Sequence, residues 1–410
     1  MQTSLAAWIR DTAEGREADA ILRKCVHCGF CTATCPTYQL LGDELDGPRG
    51  RIYLMKQVVE GAEITAKTQL HLDRCLTCRN CETTCPSGVK YGHLVDIGRA
   101  LVERRVGRPF FQRAVRRAVA MLFTRTGTFR ALLKLGRLAR PLVPATLRGK
   151  LPAEVPRAGA WPAPRHARKM VALAGCVQPA LTPDTNAAAA RVLDRLGISL
   201  VQAPGAGCCG GLRFHLNFQE EGRDDMRRVI DAWWPYVEQG VEAFAMTATG
   251  CGAIVREYGH LLKDDPKYAA KARRVSELTR DLAEVVAAEV DRLVPLVGSG
   301  RRPRVAFHPP CSMQHWQQLR GVAEGVLARL GYELTPVPDV HACCGSAGTY
   351  SMTQPELAER LKRQKLDALQ SAMPDAILTA NVGCQTHLAT GAAVPVRHWV
   401  VDVHARLSAG

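Results

Sequence analysis

Eight of the sixteen cysteines in this 410-residue chain fall into two identical spacings. Cys25, Cys28, Cys31 and Cys35, followed by Pro36, form C-x2-C-x2-C-x3-C-P; Cys75, Cys78, Cys81 and Cys85, followed by Pro86, repeat it. Three thiolates in such close succession can wrap three irons of a [4Fe–4S] cube, while the fourth, turned away at the proline, serves the other cube of a two-cluster arrangement. That reading assigns Cys25, Cys28, Cys31 and Cys85 to one cluster and Cys75, Cys78, Cys81 and Cys35 to the second. A tetrahedral zinc site wants two pairs of ligands, not two such dense runs.

The other eight cysteines form an internal repeat. Cys176, the pair Cys208–Cys209 and Cys251 are echoed by Cys311, the pair Cys343–Cys344 and Cys384. The first interval is 32 residues in both copies; the last is 42 in one and 40 in the other. These eight are candidate ligands for a further iron–sulfur cluster or for zinc. Single histidines stand near the cysteines: His27 and His71 in the first hundred residues, expected at the surface, and His308, His341 and His387 in the second copy, where each could approach a metal.

Other chemistry is hard to find. Gly205-Ala206-Gly207-Cys208-Cys209-Gly210 fits G-x-G-x-x-G, but it contains the paired cysteines, and its counterpart Ala342-Cys343-Cys344-Gly345 lacks the glycines. No acidic residue ends a second strand about 20 residues on, so a dinucleotide site is rejected. The chain is therefore expected to carry neither flavin nor NAD. No Ser-His-Asp set and no convergent carboxylate pair can be argued, so no catalytic residue is assigned. It reads as an electron relay without a hydride acceptor of its own.

The elements that must position these residues follow from pattern. Residues 1–98 hold the two tight motifs; Pro48-Arg49-Gly50-Arg51 between them opens a helical pattern, so this domain should be mainly α. Its Arg49, Arg51 and Lys56 are expected to be solvated for the most part, with steering a partner or offsetting anionic clusters as the functional reading. Residues 169–300 and 301–410 each alternate strand and helix, which argues for parallel sheets covered by helices. Expected strands are Met170–Leu173, Ile198–Gln202 and Ala243–Thr247, then Arg304–Phe307, Tyr332–Val337 and Ala376–Thr379. Cys176, Cys251, Cys311 and Cys384 would then follow strand carboxyl ends, where open α/β sheets bind ligands.

Charge singles out the remaining block, 99–168. The chain is +15 overall, yet residues 99–170 carry eighteen basic and two acidic side chains, leaving the rest near neutral. Within it, Phe110, Phe111, Ala114, Val115, Ala118 and Val119, then Leu132, Leu133, Leu135 and Leu138, recur at helical spacing with arginines between. A basic amphipathic helix suits a membrane surface or a partner; the plainer reading is a linker packed on its own neighbours. At 47% apolar and 23% charged the chain is globular. Aromatics at 6% are too sparse for base stacking, so no nucleic acid is expected despite the positive charge. Many cysteines without a secretory leader point to metal in a reducing, cytoplasmic setting. No apolar run is long enough to span a bilayer.

Taken together, the two C-x2-C-x2-C-x3-C-P motifs, the Pro48–Lys56 segment PRGRIYLMK and the two Cys…Cys-Cys-Gly…Cys repeats resemble the iron–sulfur subunits of bacterial glycolate oxidase (glycolate dehydrogenase) essentially end to end. A wider group shares the motifs: iron–sulfur subunits of anaerobic glycerol-3-phosphate dehydrogenase, lactate-utilisation proteins and heterodisulfide reductase. The resemblance implies an α-helical ferredoxin domain with two [4Fe–4S] clusters, followed by two pseudo-symmetric α/β cysteine-rich (CCG) domains. It further implies a hetro-oligomer with FAD-containing subunits that oxidise glycolate to glyoxylate and pass electrons here, toward quinone at the cytoplasmic face of the inner membrane. The alternatives are a lactate or glycerol-3-phosphate dehydrogenase subunit, or a subunit with its own terminal reduction site. Against the last, the position for a fifth cysteine is Ile254 in one repeat and His387 in the other.

Overall fold

A computed structural model describes residues 1–142, 152, 154–298, 300 and 302–408. Part of the basic connector, residues 143–151, lies outside them. The chain forms two compact units: Met1–Arg116 with His341–Arg363, and Arg117–Val340 with Gln364–Gly410.

The first unit is helical. Thr12 caps the helix Ala13–Lys24 by accepting from the Gly15 amide at 3.0 Å, and proline begins the helices Pro36–Leu41 and Pro48–Val59, where its missing N–H costs nothing. Helices Ala66–Asp73 and Tyr91–Val106 complete the frame. Leu22, Ile52, Met55, Leu72, Leu94 and Val95 close its core together with Cys25, Cys75 and Cys81. Each such aliphatic side chain adds roughly 1.5–3 kcal/mol by leaving water. That framework holds the cysteine loops, which have little regular structure of their own.

The second unit contains two four-stranded, all-parallel sheets. Strands β1 (Arg168–Ala172), β2 (Ile198–Gln202), β3 (Ala243–Met246) and β4 (Thr279–Asp281) are ordered β2-β1-β3-β4. Strands β5 (Arg304–His308), β6 (Glu333–Leu334), β7 (Ala376–Thr379) and β8 (Val396–His398) repeat the order as β6-β5-β7-β8. The six expected strands all exist; the second of the second copy is trimmed to two residues, and each sheet gains one further short strand. Helices between consecutive strands bury both sheet faces, as parallel pairing requires. Trp233 is fully buried and stacks on Phe244 of β3 at 4.1 Å.

The two sheets share a core in which Leu193, Leu196, Leu282 and Leu293 meet Leu327, Leu330, Trp399 and Val403. Their carboxyl ends also bond directly: the Thr249 amide donates to the Ala380 carbonyl at 3.2 Å, and His398 Nε2 lies 2.8 Å from the Thr247 carbonyl.

Candidate metal centres and electron-relay site

In the first unit the cysteines sort across the motifs rather than within them. The Cys25 thiol is held above its usual range by burial, with Cys85 and Cys28 adding to the effect. Burial, then Cys25, Cys85 and Cys28, push Cys31 up to about 11. Cys81 rises well above the thiol range through burial and through Cys78, Cys75 and Cys35. Cys85 of the second motif thus lies near Cys25 and Cys31 of the first, and Cys35 near Cys81 of the second. A hollow lined by Cys25, Cys28, Cys31 and Cys85, and also by Cys81, opens here, with Ile52, Pro86 and Val89 around them. Crowded thiols that resist ionisation on their own suit a multivalent metal centre, which supplies the missing positive charge. On donor chemistry, both sets fit an iron–sulfur cube.

Local backbone makes this possible. His27 and Thr77, each just before the second cysteine of its motif, have φ of 57° and 54°. Gly29 and Arg79, just after it, have φ of 87° and 59°. The matched left-handed turns wrap each loop around one centre. The pseudo-symmetry extends to Thr34 and Thr84, whose hydroxyls meet at 3.0 Å. Arg99 pins the second loop by donating to the carbonyls of Leu72 and Cys75 and to Thr77 Oγ1.

The two sets differ in setting. Cys28 is exposed, and Val26 and Phe30 beside it are 68% and 60% exposed. Around Cys35 and Cys75 the protein is closed: Tyr91 donates to Cys75 Sγ at 3.5 Å, and Thr37 Oγ1 lies 3.3 Å from Cys35 Sγ. Two expectations are corrected here. His71 is buried rather than at the surface, with Nδ1 3.1 Å from Asp46 Oδ1. Arg51 is 1% exposed, not solvated; Arg49 and Lys56 do lie nearer water, paired with Glu44 and Glu60.

In the second unit the first repeat's four cysteines converge. Cys176 lies beside Cys208, Cys208 beside Cys209, and Cys209 beside Cys251, each near enough to act on its neighbour's ionisation. Cys208 and then burial hold Cys176 well above the thiol range. Cys176 follows β1, the pair follows β2, and Cys251 lies on the helix Thr249–Arg256 after β3, so three parallel strands deliver them to one rim. The glycine after the pair is dictated by space: Gly210 has φ of 84°, and a Cβ there would lie 2.4 Å from the Gly222 carbonyl oxygen. Gly345 repeats this at φ 85°, 2.5 Å from the Ala358 carbonyl. Ile254, at the fifth-cysteine position, packs into the core beside Cys209.

The second repeat is divided between the units. Cys343 and Cys344 belong to the His341–Arg363 segment of the first, where the Asn80 amide reaches the His341 carbonyl at 3.5 Å and Tyr350 donates to the Arg74 carbonyl at 3.1 Å. Cys311 and Cys384 belong to the second unit. There Cys384 Sγ accepts from Asn381 Nδ2 at 3.6 Å and lies within 4.8 Å of a His308 ring nitrogen. His308 is fully buried, with no hydrogen-bond partner on either nitrogen, and burial keeps it neutral. His387 stands on the helix Val382–Ala389, three residues past Cys384.

A helical domain presenting two repeated four-cysteine motifs, with paired α/β repeats carrying Cys-Cys-Gly turns, defines an iron–sulfur protein of the electron-transfer class. Comparison with known proteins narrows this. The 4Fe-4S dicluster domain family matches residues 21–89, and the cysteine-rich (CCG) domain family matches 170–256 and 305–389. The glycolate oxidase iron–sulfur subunit of Escherichia coli (strain K12) is 57% identical over 407 residues, covering 99% of both chains. A probable glycolate oxidase iron–sulfur subunit of Bacillus subtilis (strain 168) is 31% identical over 93% of this chain and 92% of that one. Lactate utilization protein A of Bacillus velezensis is 28% identical over 51% of this chain and 85% of its own. The chain belongs to the family of glycolate oxidase iron–sulfur subunits.

Proposed function

We propose that this chain relays electrons within a glycolate-oxidising complex. Partner subunits carrying FAD remove two electrons and two protons from glycolate, giving glyoxylate, and the electrons pass singly through two [4Fe–4S] clusters toward a quinone. Cys25, Cys28, Cys31 and Cys85 hold one cluster; Cys75, Cys78, Cys81 and Cys35 hold the other. The observation that carries the reading is the crossed grouping, in which Cys85 neighbours Cys25 and Cys31 while Cys35 neighbours Cys81. A bound cluster supplies one-electron redox chemistry. The chain's own residues exclude water, direct hydrogen bonds at sulfur and hold the centres apart. The converging thiols Cys176, Cys208, Cys209 and Cys251 would hold a further cluster or zinc, and Cys311, Cys343, Cys344 and Cys384 are the corresponding set of the second repeat.

The basic connector supports docking at an anionic membrane surface. In the helices Phe110–Leu122 and Thr126–Leu138, Val119 packs on Leu216 and Leu133 on Ala180, but Phe110, Phe111, Leu135 and Leu138 are 62–79% exposed among arginines. Among the described residues no helix is long and apolar enough to cross a membrane, so contact would be peripheral.

The test is anaerobic purification of the chain alone. It should be brown, take up electrons from dithionite and fail to oxidise glycolate until the flavoprotein subunits are added. Glycolate oxidation by the purified chain without them would defeat the proposal, as would colourless protein holding zinc in place of iron at the ferredoxin cysteines.

A further inference from the structure

Arg51 is among the largest fully buried side chains of the molecule, in a place where an uncompensated charge would be costly. Its Nε donates to the His71 carbonyl at 2.7 Å, one Nη donates to Thr37 Oγ1 at 3.0 Å, and the other reaches Asp46 Oδ1 at 3.3 Å. Asp46 is fully buried and also accepts from Arg74 at 2.8 Å. Two guanidiniums therefore share one carboxylate, buried Arg51 and partly exposed Arg74, so Asp46 neutralises Arg51 only in part. The Cys75 and Cys35 sulfurs are near enough to act on Arg51 electrostatically. Thr37 links them further: its hydroxyl accepts from Arg51, and its single proton can serve the Asp46 carbonyl at 2.8 Å or Cys35 Sγ at 3.3 Å. Once Cys35 has lost its proton to metal ligation, only the hydroxyl can donate between them.

Among the described residues the first set has no buried guanidinium of this kind; the positive group that acts on Cys25 is the N-terminal ammonium, which donates to the Cys25 carbonyl at 2.6 Å. The nearby Arg49 is 38% exposed on its side chain and bound to Glu44 at 2.6 Å, so water and a full counter-charge screen it. Added electrons make a cluster more negative, so an unscreened positive charge and a hydrogen bond to sulfur favour its reduced form.

We infer that the buried Arg51, relayed through Thr37, raises the reduction potential of the cluster held by Cys75, Cys78, Cys81 and Cys35. Electrons then settle on this enclosed centre rather than on the one beside exposed Cys28. The inference rests on the two-cluster reading above and assigns Arg51 a positioning and electrostatic role rather than a catalytic one.

The test is a dithionite titration of the anaerobic full-length chain, followed by EPR, with thermal melting in parallel. Arg51→Met should lower the midpoint of the signal that Cys78→Ser abolishes and leave the other in place. Arg51→Lys keeps the charge and should hold the midpoint near the wild-type value, although it loses the planar fork and melts earlier. Asp46→Asn should move the same midpoint upward, and Thr37→Val downward. Opposite shifts from Arg51→Met and Asp46→Asn are a signature that lost packing does not produce. Where Arg51→Met fails to hold its cluster, Asp46→Asn and Thr37→Val decide. The inference falls if the variants leave the midpoint unmoved, or if charge removal at positions 51 and 46 shifts it in one direction. Wild-type protein without two reducible signals would instead remove the two-cluster reading beneath it.

Discussion

Single residues carry the assignments most open to test. Serine at Cys85 should abolish the EPR signal that serine at Cys28 abolishes and spare the one lost with Cys78→Ser; serine at Cys35 should do the reverse. Iron analysis and EPR of the four variants check it, and pairing within each motif would give the opposite pattern. Gly210→Ala forces a Cβ against the Gly222 carbonyl at positive φ. It should lower stability by about 2 kcal/mol or more, read as an earlier melt, with loss of any metal held by Cys176, Cys208, Cys209 and Cys251. The ligand spacing was legible because it is a local property of the chain. Arg51 was not: nothing in PRGR distinguishes the arginine that points into the core from Arg49, two positions earlier, which meets water. Only the packing of helix Pro48–Val59 against Ala66–Asp73 and Tyr91–Val106 decides between them.

At the level of elements, the pattern placed strands well where apolar runs were continuous and missed those without one. β4 and β8 are three residues each, Thr-Arg-Asp and Val-Arg-His, and extend only because a neighbouring strand pairs with them. β8 has a measurable consequence. His398 is fully buried against the Thr247 carbonyl, and burial lowers its pKa to about 4. Its folded value lies below the unfolded one near 6.5. Its contribution is therefore complete above about pH 6.5 and is lost as pH falls toward 4, on the order of 3 kcal/mol at full linkage. Melting temperature should drop more steeply between pH 6.5 and 4.5 for the wild type than for His398→Asn; parallel profiles would refute this. The basic helices show the opposite case, a pattern legible in sequence but ambiguous in meaning. Their apolar stripe is partly satisfied by Leu216 and Ala180, as the linker reading expects, and partly left to solvent.

At the scale of the whole molecule, exposed Leu135 and Leu138 among so many cations should bring the chain to anionic surfaces. Sedimentation with phosphatidylglycerol vesicles should be salt-sensitive and weaken at least about tenfold in the Leu135→Asp/Leu138→Asp variant, since each leucine is worth roughly 1.5–3 kcal/mol on burial. Equal binding by the two proteins would argue for charge alone. By itself the sequence determined the spacing of the cysteines, that two repeats follow a helical domain, and that positive charge gathers between them, because spacing, periodicity and composition are written along the chain. Tertiary structure alone decided that His341–Arg363, with Cys343 and Cys344, joins the ferredoxin unit. It also decided that one of three similar cations, Arg51, is sealed beside Cys35. These depend on contacts between segments tens to hundreds of residues apart, whose geometry follows from burying the shared core rather than from any local preference.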